Sequence, residues 1–499
     1  MQAWFAGDFG RCLELCDAVR VRDASAHVHV CLLRARALLR LQRSAEALEV
    51  LRGTPPAPLD SDEAITTRML TGEARLRCGE AAAGLQALLE AQRSAEAFGA
   101  HPTIVSEISM NLGLAYYCAH DFATADAMLR TIDESADLVY ARAVQFRAWI
   151  ASARGLEAEA VTLFIRALTS LDRCRHRDRY FEANCTRALA HLALERLDRR
   201  TWAYVADRRA RIDPSSPALP EAHFFIAYCA AAFELEVQGD PLEAAREARL
   251  AEDLAPTGAF RVQGRCRRAW VARTRGEPLA HRDHADSAAE LFATIDTASL
   301  SGDEHVVPLV LAEELVAIRP VQARELIHLF DGLPPMSPMR LLAQSSMLEI
   351  YRALVDGLVF EANGDRERAV ENYRRVFGVY RQRGYTRRAV MVAERLWALT
   401  RDRKAYAYMV DETKHLPPTS YLKRKVDAAR HNAVRLTSVQ CEVLALICQG
   451  KSNPEIARLR KRSLHTVRNL VARLFEVFEV SSREELAVEC VRRGLYTPK

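Results

Sequence analysis

The chain has 499 residues, of which 49% are hydrophobic and 27% are charged, and this balance excludes an intrinsically disordered protein. The longest uninterrupted apolar run, residues 224–233, is too short to cross a membrane. The first residues lack the basic start and the long apolar segment of a signal peptide. The sequence therefore predicts a cytoplasmic protein that does not contact a membrane.

The net charge of +5 is distributed unevenly along the chain. Residues 435–499 hold 12 Lys or Arg and 7 Asp or Glu, residues 401–434 hold 8 and 4, and the first 400 residues have a net charge of −4. Positive charge that is confined to the C-terminal part is typical of a protein in which only this part meets nucleic acid.

The N-terminal region lacks the residue patterns of common catalytic sites. All seven lysines lie at Lys404 or later, so residues 1–403 contain no Walker A loop, which needs a lysine for the phosphates. His281 and His284 are three residues apart but have no convincing third metal ligand, and surface positions are expected for both. The twelve cysteines show no C-x-x-C spacing and are expected to be buried thiols. We predict that the chain is not an enzyme and uses no cofactor or metal.

Short turns, each followed by a helix of the form A-x-x-x-L or A-x-x-x-F, recur through the first 400 residues. They begin at Gly7, Gln42, Cys78, His120, Gly155, Gly239 and Gly364. Gaps of 35 residues separate 7 from 42 and 120 from 155. This pattern resembles tetratricopeptide repeats, whose period is about 34 residues, and the segment NLGLAYYCAHDFATADAML (111–129) is the clearest match. An ordinary helical bundle is the alternative.

The resemblance implies a helical superhelix of nine or ten helix pairs over residues 1–410. The concave surface of such a superhelix suits an extended peptide, a helix of a partner protein or a small molecule. The segment 411–431 contains Pro417-Pro418 and a cluster of basic residues, and it is predicted to be a linker. A separate C-terminal domain is predicted over residues 432–497.

The pattern of this last domain predicts four short helices. Ser452 and Glu455 form a capping box at the start of the second helix, and Ser463 is a good N-cap for the third. The third helix carries one apolar stripe at helical spacing, formed by Val467, Val471, Leu474 and Phe478. A short helix, a tight turn and a longer helix with a polar outer face follow the helix-turn-helix plan. Between Ile456 and Phe475 there are six Lys or Arg and no Asp or Glu, as a phosphate backbone requires.

These motifs resemble the LuxR-type (GerE-like) DNA-binding domain of bacterial transcription regulators. The resemblance rests on LT at 436–437, EVL at 442–444, G-x-SN-x-EIA at 450–457, S-x-x-TV at 463–467 and R-x-EL at 483–486. It implies that the third helix enters the major groove, with Arg468 and Asn469 facing bases and with Ser463 and Thr466 on the phosphate side. It also implies that the last helix, about residues 482–493, mediates dimerisation.

The sequence departs from the family pattern in and before the third helix. Leu470 stands where a histidine is expected, and Ala472 where a basic residue is expected. Arg460 and Arg462 stand where apolar residues are expected, and we expect both to point outward while Leu459 takes over one core position. These departures leave open a domain that has drifted toward protein contact.

The sequence thus predicts an all-α protein, a tetratricopeptide-like superhelix followed by a small LuxR-type helix-turn-helix domain. Its predicted function is a transcription regulator on double-stranded DNA, bound as a homodimer and controlled by an effector on the array, with RNA polymerase as a further candidate partner and a nucleoid-associated location. The alternative is a protein–protein adaptor. The predicted DNA-contact residues are Lys451, Ser452, Asn453, Lys461, Arg462, Ser463, His465, Thr466, Arg468, Asn469, Ala472 and Arg473. The predicted dimerisation residues are Leu486, Val488 and Val491.

Overall fold

The computed structural model describes the whole chain except residues 1–2, 5–7, 20–22, 42, 176–177, 213–219, 301, 334–337, 432–437, 479 and 493–499. Within these described ranges every regular element is a helix, which confirms the predicted all-α class. No helix in this part of the chain is long and apolar enough to span a membrane.

The N-terminal region contains 22 described α-helices, numbered here in chain order. They are α1 (Phe9–Ala18), α2 (Ala24–Arg40), α3 (Ser44–Arg52), α4 (Asp62–Arg77), α5 (Ala81–Phe98), α6 (Pro102–Cys118), α7 (Phe122–Arg130), α8 (Leu138–Ala153), α9 (Glu157–Arg173), α10 (Arg179–Glu195), α11 (Arg199–Arg211), α12 (Pro220–Phe233), α13 (Pro241–Asp253), α14 (Gly258–Arg275), α15 (Pro278–Phe292), α16 (Val307–Leu315), α17 (Pro320–Asp331), α18 (Pro338–Ala362), α19 (Arg366–Arg383), α20 (Thr386–Thr400), α21 (Arg403–Thr413) and α22 (Tyr421–His431).

Helices α2 to α21 form ten consecutive pairs, in agreement with the nine or ten that the repeat pattern predicts. Small residues allow the two helices of a pair to approach closely, as in the clearest repeat. A Cβ atom on Gly113 of α6 would lie 2.8 Å from the side chain of Leu129 in α7, and Ala125 is fully buried between them. The sequence marks the helix ends as well. Asp240 and Asp402 cap helix N-termini with their side chains, and Gly276 ends α14 in the left-handed conformation.

The array closes on itself, so that helices far apart in the sequence touch. Helix α18 contacts α4, α6 and α8, and α20 contacts α10. A buried ion-pair network joins the two sides. Arg387 of α20 donates to Glu195 at the end of α10 (2.7 Å) and to Glu236 (3.0 Å). All three side chains are buried, so removing the charge of one partner would leave the other charge uncompensated. The network therefore stabilises the closed array only while both partners of each pair are charged.

The segment 411–431, predicted to be a linker, is largely part of the array. Helix α22 covers residues 421–431 and buries Leu422, Val426 and Ala429 in the core that runs through the array. The chain before it docks beside Gly239, where an added Cβ would lie 2.2 Å from the carbonyl group of Thr419. The sequence pattern does not reveal this burial, because Pro418 and Arg424 are exposed and the apolar stripe of α22 is short.

The C-terminal region contains four further helices, α23 (Ser438–Cys448), α24 (Asn453–Leu459), α25 (Leu464–Phe478) and α26 (Arg483–Arg492). They enclose a core of their own, formed by buried residues that belong to no other cluster of the described chain. The four predicted helices are therefore present. The LT motif at 436–437 lies outside the described residues.

Candidate nucleic-acid interface

The N-terminus of α24 is fixed by two local devices. The capping box is present, and Glu455 Oε2 accepts hydrogen bonds from the Ser452 hydroxyl (2.6 Å) and from the Ser452 backbone N–H (2.7 Å). These two hydrogen bonds lower the pKa of Glu455. Arg483 of α26 then holds the same end from outside the helix. Its guanidinium donates to Asn453 Oδ1 (2.6 Å) and to the carbonyl oxygen of Lys451. The side-chain oxygen of Asn453, a predicted DNA contact, thus accepts a hydrogen bond within the domain.

The turn between α24 and α25 is closed by Lys461, which has φ = +49°. The Lys461 N–H donates to the carbonyl of Arg458 (3.3 Å) and the Arg462 N–H donates to that of Ala457 (3.0 Å). This pair of hydrogen bonds is the Schellman motif, whose left-handed position normally holds glycine. A lysine there costs about 1–2 kcal/mol of backbone strain and leaves a cation at the point where the turn is most exposed.

Ser463 begins α25 as the sequence predicts. Its hydroxyl accepts from the Thr466 backbone N–H (3.0 Å) and lies 2.7 Å from the Thr466 hydroxyl. The apolar stripe of the helix is buried as predicted, and it consists of Val467, Val471, Leu474 and Phe478. The opposite face is exposed, and it consists of His465, Thr466, Arg468, Asn469, Ala472 and Arg473. Within it Asn469 Nδ2 lies 3.3 Å from His465 Nε2, one helical turn away. The structure thus brings the predicted base-facing residues together on one solvent-facing helix surface.

Most cations beside this surface have no acidic partner. Within the described chain, no carboxylate lies within ion-pair distance of five Arg or Lys on α24, the turn and α25. These five, called the basic face below, are Arg458, Lys461, Arg462, Arg468 and Arg473. All five are exposed. A solvated surface normally mixes both signs of charge, so this arrangement favours an anionic partner.

Arg460 and Arg462 both point outward, as expected from the cost of burying an unpaired guanidinium. They differ in their partners, because Arg460 forms an ion pair with Glu442 of α23 whereas Arg462 belongs to the basic face. The expectation that Leu459 takes over a core position is wrong. Leu459 is 58% exposed, and the core contacts of α24 come from Ile456 and Ala457.

The predicted dimerisation residues of α26 lie on different sides of the helix. Leu486 is fully buried in the core of the domain, so it does not contribute to an exposed dimer surface. Val488 is 68% exposed and remains available for such a contact. The side chain of Val491 lies outside the described residues. Helical periodicity alone did not separate the face of α26 that packs inward from the face that is exposed.

Sequence reasoning missed two contacts that shape this surface. The R-x-EL motif identified Arg483, but nothing in the sequence indicated that it clamps the start of α24. The pairing of Arg460 with Glu442 was equally hidden, since 18 positions separate the two residues. Both contacts depend on how α23 and α26 pack, which local patterns do not specify.

The part of the chain that the structure describes contains no cluster of His, Cys, Asp and Glu that could hold a metal ion. The expectation that His281 is a surface residue is wrong. It is buried, with its Nε2 atom 3.4 Å from Glu314 Oε2. The polar HRDH run does not predict this burial, which arises because α15 turns this one histidine inward.

The four helices, the Schellman turn and the basic face define a compact helix-turn-helix domain. Residues 434–490 match the family described as bacterial regulatory proteins, luxR family, so the C-terminal domain is a luxR-type domain. The resemblance derived from its motifs is thereby confirmed. No curated protein sequence matches the chain significantly.

Several solved structures resemble the chain at low identity. An IFIT1 monomeric mutant with Gppp-AAAA is 13% identical, with 87% of this chain and 95% of that chain covered and a TM-score of 0.40. The hetero-tetramer Cut9–Hcn1 is 12% identical, with 93% and 90% covered and a TM-score of 0.29. Yeast Tom70 is 12% identical, with 88% and 100% covered and a TM-score of 0.28. At these TM-scores the comparisons define no shared site or function.

Proposed function

We propose that the chain is a transcription regulator in which the closed helical array controls a C-terminal domain that binds double-stranded DNA. The observation that carries the proposal is the basic face, five exposed cations that have no acidic partner in the described part of the chain, around the helix-turn-helix of a luxR-type domain. Such unpaired cations favour phosphate groups as partners, because neutralising the phosphates of DNA releases the counterions bound around it.

In this proposal α25 lies in the major groove. Arg468 and Asn469 read base edges, since they are exposed side by side and have the donor geometry for guanine and adenine. Lys461, Arg462 and Arg473 hold phosphates on either side. Asn453 acts indirectly through Arg483, because its oxygen is already engaged.

The array is proposed to extend to residue 431 rather than 410, and residues 432–437 connect it to the DNA-binding domain. A short connection makes the position of that domain sensitive to changes in the array. Half-sites about one helical turn apart, 10–10.5 base pairs, would be occupied by a homodimer. Val488 supplies one exposed apolar residue for its contact, and the first 400 residues, whose net charge is −4, supply an alternative mode of control by retaining the basic domain.

Fluorescence anisotropy with the full chain tests the proposal. The sites are first identified by genome-wide occupancy, and affinity for one such site and for random duplex is then measured at several salt concentrations. We expect Arg468→Ala to weaken binding to the specific site by about 1–3 kcal/mol and to affect random DNA much less. The matched control is Arg366→Ala, which removes an exposed arginine on α19 of the array, outside the C-terminal domain.

Equal losses on specific and random DNA would contradict base reading by Arg468. The adaptor alternative is favoured by Leu470 and Ala472, which replace polar and basic residues expected in the family. No salt-dependent DNA binding by the full chain or by residues 430–499 at low salt would support that alternative. The truncated domain is a fair probe because its core is separate from that of the array.

A further inference from the structure

The closed array encloses a central cavity of about 310 Å³. Its walls come mainly from the first helix of seven consecutive pairs, α8, α10, α12, α14, α16, α18 and α20, with additions from α9, α19 and the loops between the helices. Ligand sites in proteins commonly begin at about this volume. The lining is rich in aromatic rings, which include Trp149, Phe225, Tyr228, Trp270, Tyr351 and Tyr380.

One cation in this cavity has no acidic partner. Arg267 of α14 is only 9% exposed, its Nε atom has no hydrogen-bond acceptor, and within the described chain no carboxylate forms an ion pair with it. Its guanidinium carbon lies 3.7 Å from the ring centre of Tyr228 and 5.0 Å from that of Trp270. Cation–π contacts of this kind offset part of the cost of burying the charge.

The other guanidinium groups of the lining are all paired. Arg187 lies 2.6 Å from Asp303, and Arg387 and Arg388 lie 2.7 Å and 3.5 Å from Glu195. The contrast matters because burying a charge is costly unless it is compensated. Arg267 is therefore the one lining arginine of the described cavity whose charge is left for a bound group.

We propose that the cavity binds a small aromatic monocarboxylate, with the carboxylate on the Arg267 guanidinium and the ring among the aromatic walls. A carboxylate matches the planar donor fork of arginine. A single negative charge fits better than a phosphate dianion, because Glu195, Glu313 and Glu314 also line the cavity. Offset or edge-on contact with the wall rings favours a planar body.

This inference deepens the proposed function by naming the chemical class of the effector. The predicted effect of the ligand on DNA binding rests on the proposed function. The predicted binding of the ligand does not, because occupancy of the cavity is measured without DNA. Ligand in the cavity would contact helices from both sides of the closed ring, such as α10 and α20, and would bias the array toward its closed form.

Isothermal titration calorimetry of the full chain tests the site with three probes, 2-naphthoate, its neutral analogue 2-naphthamide, and inorganic phosphate. We expect 2-naphthoate to bind about tenfold or more tightly than 2-naphthamide, as a charge-assisted hydrogen bond predicts, and phosphate to bind much more weakly. The amide fills the same space, so the ratio of the two affinities isolates the charge. Equal binding of acid and amide, no binding of the acid, or equal binding of phosphate would overturn the proposal.

Two variants assign the effect to Arg267. Arg267→Gln should abolish the preference for the acid over the amide, and Arg267→Lys should retain part of it. The control is Arg268→Gln, which removes a charge from the next position on α14, where Arg268 pairs with Glu252 (2.6 Å) and does not line the cavity. Arg267→Gln should keep the thermal midpoint of the wild type, since it removes an uncompensated charge. A preference that survives in Arg267→Gln would assign the carboxylate to another group and overturn the proposal.

Anisotropy with and without 2-naphthoate separates the two levels of inference. A shift in DNA affinity supports both. Calorimetric binding without any shift supports the cavity site and contradicts effector control by the array. DNA binding that persists when the acid does not bind overturns the cavity site alone.

Discussion

Arginines behave differently in the two regions of the molecule. In the array many of them are buried against carboxylates, and Arg208, for example, pairs with both Asp172 and Glu182. In the C-terminal domain, Arg462, Arg468 and their neighbours on the basic face are exposed and unpaired within the described chain. The same residue type thus serves internal structure in one region and is available to an external partner in the other.

The difference teaches where net charge has functional meaning. A paired arginine adds little to the field at distances larger than the separation of the pair, because its carboxylate cancels its charge. An unpaired one attracts anions, and the attraction falls with added salt. Each prediction below changes either a buried charge in the array or the charge around the basic face, in order of decreasing expected effect.

The largest effect is expected from Arg387→Ala, which leaves Glu236 buried without its cation and leaves Glu195 with Arg388 alone, at 3.5 Å. Burial alone would raise the pKa of Glu195, but Arg387 and Arg388 outweigh it and lower that pKa to about 2. Loss of Arg387 should therefore destabilise the array by about 3–5 kcal/mol in urea unfolding. The control is Arg211→Ala, whose partner Asp207 is exposed, with an expected loss below about 1 kcal/mol. Equal losses would show that the buried network does not hold the ring.

A second test concerns a buried array carboxylate that no guanidinium contacts at ion-pair distance in the described chain. Burial raises the pKa of Glu157 to about 7, against the hydrogen bond from Ser152 (2.9 Å). Because the folded pKa exceeds the unfolded one, the stability that this group contributes is present below about pH 4 and lost as the pH rises through 7. Glu157→Gln should thus stabilise the protein by about 2–4 kcal/mol at pH 8 and much less at pH 5.

Thermal unfolding of wild type and Glu157→Gln at both pH values measures this difference. The matched control is Glu159→Gln, an exposed carboxylate in the first turn of the same helix, for which no pH-dependent gain is expected. A gain that is the same at pH 5 and pH 8 would contradict an ionisation effect.

The two regions also differ in how far the sequence predicts them. The pairing of helices and the apolar stripe of α25 follow from local periodicity, so both could be predicted. Closure of the array could not, because the contact between Arg387 and Glu195 spans 192 residues and leaves no local pattern. For the same reason, the sequence pattern of α22 predicts a linker, and the apolar stripe of α26 places Leu486 on a dimer surface. In each case the packing partner, rather than the segment itself, determines which face is buried.

A smaller effect is expected at Lys461, where two substitutions distinguish the effect of the charge from the effect of backbone strain. Lys461→Ala and Lys461→Gly both remove the cation, so each should lower the slope of log affinity against log salt by about one. Only glycine relieves the left-handed conformation at φ = +49°, so Lys461→Gly should be about 1 kcal/mol more stable than Lys461→Ala. Salt titrations and thermal unfolding measure the two effects independently. Unequal salt slopes would mean that turn geometry, rather than charge, governs DNA affinity at this position.

The smallest effect is expected from Glu442→Gln, which releases Arg460 from its ion pair without touching the basic face. Exposed pairs of this kind contribute less than about 1 kcal/mol, so the domain should remain folded. The freed guanidinium should strengthen binding to random DNA by a few-fold at low salt, on the order of 0.5–1 kcal/mol. Glu484→Gln removes the same charge from an exposed position on α26 and controls for net charge. The double variant Glu442→Gln/Arg460→Ala should lose the gain, because the gain belongs to Arg460. If Glu484→Gln strengthens binding as much as Glu442→Gln, then overall charge rather than a released cation sets the affinity, and the distinction between paired and unpaired arginines does not extend to this surface.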